Sequence, residues 1–331
     1  MKRKISIIVL ILLLVCVFSI VLAVSCSNNN TTNNDNGIIP PTSNSNPSSS
    51  SPSQDETYSQ GLSFIIDSNG QSYSVSIGTC TDTDIVIPNQ YKGKPVTNIF
   101  NYGFAAYDFM TNEYLPSSPA AMITSITIPD SVTSIDRGAF QGCTSLVSVN
   151  FGTNSKLLNI GYGSFYGCES LKNFNIPNSV QNIDWLAFDG CTSLETIVIP
   201  NSVTNICDDA FSSCTSLKNV TIGKSITNIG GSVFYGCTAL ESITIPESVT
   251  SIGKWAFYEC TSLSSVTLPN SLMSIYKRAF YGAPLSSINY NGTVDQWNAI
   301  EKEEYWDDDT NDYIIYCTDG QITKDGTVTY K

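Results

Sequence analysis

The sequence predicts a solenoid, in which one short strand-and-turn unit is stacked on copies of itself. Three observations carry this expectation. Phe140, Phe165, Phe188, Phe211, Phe234, Phe257 and Phe280 recur at spacings of 25 and then five times 23 residues. Cysteine follows six of these seven by three positions, at Cys143, Cys168, Cys191, Cys214, Cys237 and Cys260. Each unit also runs into an apolar alternation, such as Leu194, Ile197 and Ile199, or Leu240, Ile243 and Ile245. Registered copies at a fixed period identify a repeat architecture before local signals are weighed.

Within the unit, the last two apolar positions alternate with polar ones, the period of a half-buried strand. The proline after it (Pro177, Pro200, Pro246, Pro269) has no N–H and marks where ladder pairing stops. A second apolar pair, such as Val203 and Ile206, predicts another short strand or turn, and the run before Ala-Phe a single helical or 3₁₀ turn. One unit cannot bury its own Leu, Ile and Phe, whereas stacked units can, column on column. The L-x-x-L-x-L core and the period resemble leucine-rich repeats. The phrase I-P-x-S-V-T-x-I-x-x-x-A-F-x-x-C-T-S-L, seen in Ile199–Leu217 and Ile245–Leu263, resembles the BspA-like subclass of bacterial surface proteins over Gly61 to Gly320. That resemblance implies a right-handed leucine-rich repeat solenoid, and often adhesion to host or neighbouring-cell molecules.

Taken in order, residues 1–25 predict a lipoprotein-type signal peptide. Lys2, Arg3 and Lys4 precede an apolar run from Ile5 to Val24, and Ala23-Val24-Ser25-Cys26 resembles a lipobox with Cys26 as the lipid attachment site. An uncleaved membrane helix is the alternative, since about 20 apolar residues span a bilayer; either exports the repeats to a lipid-anchored or membrane-bound place at the bacterial envelope. Residues 26–57 form a tether: 25 of the 31 residues from Ser27 to Thr57 are Ser, Thr, Asn, Pro or Gly. They have little to bury and are expected to stay disordered, with a reach of roughly 30 Å.

Residues 58–122 predict an N-terminal cap merging into a degenerate first repeat. SFIIDSNGQSYSVSIG has the pattern of a hairpin turning near Asp67, Asn69 and Gly70. Phe104 is expected to take the repeat phenylalanine position, and Ala105 to Ala121 to form an inserted loop. The regular array spans 123–290, with two extra residues near Thr153 to Leu157. Residues 291–331 predict a C-terminal cap: Val294, Trp297 and Ile300 have helical spacing, and two strands flank Asp319-Gly320.

Composition narrows the function. With Lys2, Arg3 and Lys4 removed, 13 basic residues face 29 acidic ones, a net charge of −16, which disfavours nucleic acid and anionic membrane surfaces. There is no histidine, which removes Ser-His and Cys-His pairs and histidine metal sites. The cysteine ladder lacks the paired C-x-x-C spacing of zinc sites and is expected to be a buried thiol column. Pairing among Cys80, Cys207 and Cys317 stays open. Asp307, Asp308, Asp309 and Asp312 lack the alternating spacing of a calcium loop and are expected to form a solvated acidic face. No enzyme, cofactor or metal is expected.

Two outward columns remain. The strand positions, from Ser148 and Asn150 to Ser265 and Thr267, are nearly uncharged and hydrogen-bonding. The residue after each repeat phenylalanine is Gln141, Tyr166, Asp189, Ser212, Tyr235, Tyr258 and Tyr281 in turn. Tyr235, Tyr258 and Tyr281 therefore fall on consecutive units, with a spacing of about 5 Å expected between rings; Tyr166 and Trp255 are candidates to extend the patch. Such a row suits protein contact or sugar stacking, although rings laid over coil turns as packing give the same pattern. The expected function is a surface-anchored, non-catalytic binding or adhesion module for an extracellular protein or polysaccharide. A structural envelope protein mediating cell–cell or self-association is the alternative.

Overall fold

A computed structural model describes residues 58–331 apart from 109, 110 and 112. The signal segment, the tether and Cys26 lie outside the described residues.

The array is a parallel β-solenoid with two strand ladders. One ladder joins Asp84–Val86, Ser125–Ile128, Ser148–Phe151, Asn173–Asn175, Thr196–Val198 and Asn219–Thr221. The other joins Lys94–Ile99, Ser134–Ile135, Asn159–Ile160, Asn182–Ile183 and Asn205–Ile206, two residues per coil after the first. Pairing is in register, so Phe174 lies against Ile197 and Ile197 against Val220. Like residues thus stack in columns, and each column excludes water from its neighbours. Both ladders lapse once. Asn219–Thr221 is not paired with Ser242–Thr244, nor Asn205–Ile206 with Asn228–Ile229, and each ladder resumes beyond.

The phenylalanine column is the centre of the core. Phe104, Phe140, Phe165, Phe188, Phe211, Phe234, Phe257 and Phe280 are all fully buried. Consecutive rings stack, as for Phe188 and Phe211, 5.2 Å apart and 2° from parallel.

The turn carrying Ala-Phe differs from the expected helical or 3₁₀ turn. It is a chain of β-turns with left-handed residues two before and two after each phenylalanine: Gly138 and Gly142, Asp209 and Ser213, Trp255 and Glu259. Alternate N–H groups close turns within the coil (Ala139, Gln141, Cys143), while Gly138, Phe140 and Gly142 donate to Tyr162, Ser164 and Tyr166 of the next coil. A helical turn would direct all of these donors inward and leave neighbouring coils unjoined on this side.

The thiol column is buried as expected, and no disulfide joins the nine described cysteines. Each ladder thiol also bonds to the preceding coil: Cys168 Sγ donates to the Phe140 carbonyl at 3.2 Å, and Cys214 Sγ to that of Phe188 at 3.2 Å. Burial pushes the Cys143 and Cys260 thiols up to about 12.

At the N-terminal end, Ser63–Ile66 and Tyr73–Ser76 form an antiparallel hairpin whose second strand continues the ladder into Lys94–Ile99. The insertion contains more order than a loop: a two-stranded hairpin, Tyr107–Asp108 with Glu113–Tyr114, and a 3₁₀ turn, Pro119–Met122, capped by Ser118. At the C-terminal end, helix Val294–Ala299 buries Val294 and Trp297 and carries a capping box from Thr293 and Gln296. The acidic run is solvated as expected at Asp308, Asp309 and Asp312, with Asp307 half-buried, but it is also ordered. Glu301–Lys302 extends the second ladder, and Arg278, Phe280 and Gly282 donate to Tyr305, Trp306 and Asp308. The run is therefore the turn of one more coil, with Trp306 over Phe280 at 6.0 Å. Beyond it, Ile314–Tyr316, Gly320–Thr323 and Val328–Tyr330 form a three-stranded meander, because Gly326 adds a second turn.

Candidate functional site

The side chain after each repeat phenylalanine lies on the turn face, because the phenylalanine itself points into the core; Ser212 is buried there and the others are partly exposed. The left-handed residue two positions later turns the chain away and leaves that side chain standing on the turn face. The position is filled by tyrosine on three consecutive coils. Tyr235 and Tyr258 have ring centroids 5.0 Å apart and planes 2° apart; for Tyr258 and Tyr281 the values are 4.8 Å and 9°. Tyr235 is 39% exposed, and the other two are half-buried. The rings therefore neither enter the core nor move freely. Stacking fixes each ring before any ligand arrives, which lowers the entropy lost on contact.

The ends of the row are polar. Toward the C terminus, the Arg278 guanidinium lies 5.5 Å from the Tyr281 ring centre, and the column continues as Asp307, which accepts from the Tyr313 hydroxyl at 2.5 Å. The Glu259 carboxyl group packs against Gly282 beside the row. Toward the N terminus the column continues as Ser212 and Asp189. Burial pushes the Asp189 carboxyl up to about 6; the Ser212 hydroxyl beside it opposes the shift, and the Asp209 charge adds to it.

Tyr166 and Trp255 are not brought into the row. Tyr166 is separated from Tyr235 by the two coils carrying Asp189 and Ser212. It lies instead near Tyr107 and Tyr114 of the inserted hairpin, whose rings meet edge-on at 5.5 Å. Trp255 is 44% exposed but occupies the left-handed position of its coil, and it makes no ring contact with the tyrosines. The inserted hairpin was missed as an aromatic element because its residues lie outside the repeat period. The only signal was the pair Tyr107 and Tyr114, seven apart in an otherwise unassigned stretch.

The strand face is as polar as its sequence. Asn173, Asn175, Thr196, Asn219, Thr221, Ser242 and Thr244 are exposed, and Val198 is the one apolar member of this central stretch. Among the described residues no group of three or more Cys, Asp or Glu side chains is arranged to hold a metal ion.

Comparison with known proteins agrees with this geometry. Among solved structures, the chain is similar to a leucine-rich repeat protein from Bacteroides ovatus, at 26% identity and a TM-score of 0.60. That match covers 71% of this chain and 61% of the other, so the chain spans less than two thirds of that protein's length. A leucine rich cell surface protein from Faecalibacterium prausnitzii matches at 22% identity and a TM-score of 0.35, over 76% of this chain and 99% of the other. No curated protein matches. The family model for the BspA type leucine rich repeat region matches residues 117–241 and 186–300, together more than half of the chain. With its registered ladders, stacked phenylalanines and repeated turn, the chain belongs to the BspA-type leucine-rich repeat family.

Proposed function

We propose that this protein is a surface-anchored, non-catalytic adhesion module that binds an extracellular protein or glycan through the turn face of its solenoid. The observation that carries this reading is the row of Tyr235, Tyr258 and Tyr281, parallel and pre-ordered on three coils. A row of flat aromatic faces offers wide contact at modest affinity, and many copies held at one surface multiply that affinity. Lipid at Cys26 is the proposed anchor. Cys26→Ser then releases the protein from membranes, whereas unchanged mass and detergent partitioning argue against lipidation.

The test of the binding face is the triple substitution of Tyr235, Tyr258 and Tyr281 by Ser in the full chain, assayed for attachment to immobilised host matrix proteins and polysaccharides. Binding weakened tenfold or more, about 1.4 kcal/mol, with an unchanged unfolding midpoint is the expected result. A folded triple variant that binds as before refutes the tyrosine row as the binding face.

A further inference from the structure

The coil lengthened by two residues within the regular array opens a concavity. Ser148–Phe151 pairs with the preceding strand over four residues, from Ser148 opposite Ser125 to Phe151 opposite Ile128. Toward the following strand the ladder holds at a single pair, Ser148 opposite Asn173. The next interface recovers three pairs. The two strands therefore part after their first residue, and the gap opens beside the segment that carries the two extra residues.

That segment is fixed in place. The Asn154 N–H donates to the Asp130 carboxylate at 3.1 Å, and the Lys156 N–H to the Asp130 carbonyl at 3.3 Å. Gly152 is required for the approach, since a Cβ there would lie 2.0 Å from Asp130 Oδ1. The insertion is thus a braced lip.

Between lip and strand lies an open cavity of about 390 Å³. It falls within the range of roughly 300–1,000 Å³ typical of small-molecule sites. Asn150, Phe151, Thr153, Ser155, Asn175 and Asn178 line it, and no residue in its wall carries a charge. The amides of Asn150, Asn175 and Asn178 make no hydrogen bond within the described residues, unlike Asn182, whose amide donates to Asn159 at 2.9 Å. Each amide offers both donors and an acceptor. Phe151 is half-buried, held edge-on to Phe174 at 5.5 Å.

We propose that this cavity binds a neutral saccharide residue at the end or branch of a glycan. Sugar hydroxyls both donate and accept, as the three free amides do, and the apolar face of a pyranose has Phe151 to lie against. A carboxylate or sulfate finds no cation in the wall, and a peptide side chain would leave most of the amide groups unpaired, at a cost. This deepens the reading of the protein as a surface binding module, assigning the ligand class and placing a first sugar site on the strand side of the coil rather than on the tyrosine row.

The test uses the full chain in a detergent without a sugar headgroup. Methyl glycosides of glucose, galactose, mannose, N-acetylglucosamine and N-acetylgalactosamine are titrated by saturation-transfer NMR, with methyl sialoside as the charged comparison. At least one neutral glycoside is expected to bind, and Asn150→Ala with Asn175→Ala to weaken it tenfold or more while the tyrosine triple variant leaves it unchanged. Deleting Thr153 and Asn154 restores the 23-residue spacing and is expected to close the gap and abolish binding; the Asn variants decide the matter if that deletion does not fold. Binding of no neutral glycoside, or of sialoside alone, overturns the proposal. So does neutral-glycoside binding that survives the Asn substitutions, or that is lost in the tyrosine variant instead; these last two outcomes leave the adhesion reading standing.

Discussion

Phe211→Ala is the perturbation that reads the solenoid's mechanics most directly. Phe211 is fully buried and stacked on both sides, at 5.2 Å from Phe188 and 5.9 Å from Phe234. Removing a buried phenylalanine costs about 3–5 kcal/mol, a range that includes the two lost ring contacts at about 0.5–1.5 kcal/mol each. Its position matters as much as its size. Between the coils of Phe211 and Phe234 both strand ladders lapse. What joins them is mainly the turn face, where Asp209, Phe211 and Ser213 donate to Gly231, Val233 and Tyr235 and the Cys237 thiol to the Phe211 carbonyl at 3.3 Å, with side-chain bonds from the Lys224 and Gly231 N–H groups to Asn201 and Asp208 and from the Thr238 hydroxyl to the Thr215 carbonyl. The variant therefore weakens an interface that lacks strand pairing, and the solenoid should unfold as two blocks. Tryptophan fluorescence separates them, since Trp185 lies before the interface and Trp255, Trp297 and Trp306 after it. In urea, variants retaining only Trp185 or only Trp255 should report one shared transition in the parent chain and two separate ones with Phe211→Ala. Phe257→Ala, equally buried and with both ladders paired on either side of its coil, should cost a similar amount and keep one transition. A loss below about 1 kcal/mol, or shared transitions in the Phe211 variant, refutes the reasoning.

Two further outcomes are expected. The Asp189 carboxyl is raised to about 6 by burial, so the folded state holds its proton more tightly than the unfolded chain; its contribution is full below about pH 4 and is lost as pH rises through 6. Asp189→Asn should therefore raise stability at pH 7 by about 1 kcal/mol after solvent screening, with the gain vanishing at pH 4 in parallel denaturation curves; an equal gain at both pH values contradicts this. The ladder thiols, buried and held well above their usual range, should resist iodoacetamide in the native protein and react together on unfolding; rapid native labelling of Cys191 or Cys214, followed by mass spectrometry, would place them outside the core.

Much of this architecture could be read from the chain because a stacked repeat turns each structural demand into a column of like residues. The phenylalanine and cysteine columns, the strand alternation and the tyrosine spacing all follow from that. The turn ladder was hidden because its constraint is on backbone angle: Gly138, Leu186, Asp209, Ser232, Trp255 and Arg278 all adopt the same left-handed conformation, held by bonds to the next coil. The terminal coil was hidden because Trp306 follows Phe280 by 26 residues without the Ala-Phe or Cys phrase. The two extra residues near Thr153 were visible, but their effect was not, since parting of strands depends on where the lip is braced.

The thiol column has a consequence for how such a molecule can lengthen. A disulfide framework grows by pairs, and an added single cysteine leaves an orphan able to cross-link the wrong partner. Here each ladder thiol bonds to backbone of the coil before it and to no other cysteine, and the last unit ends the column simply by substituting Ala283. Coils can therefore be gained or lost one at a time by duplication or deletion of a 23-residue segment, in odd or even number, without rewiring any covalent link.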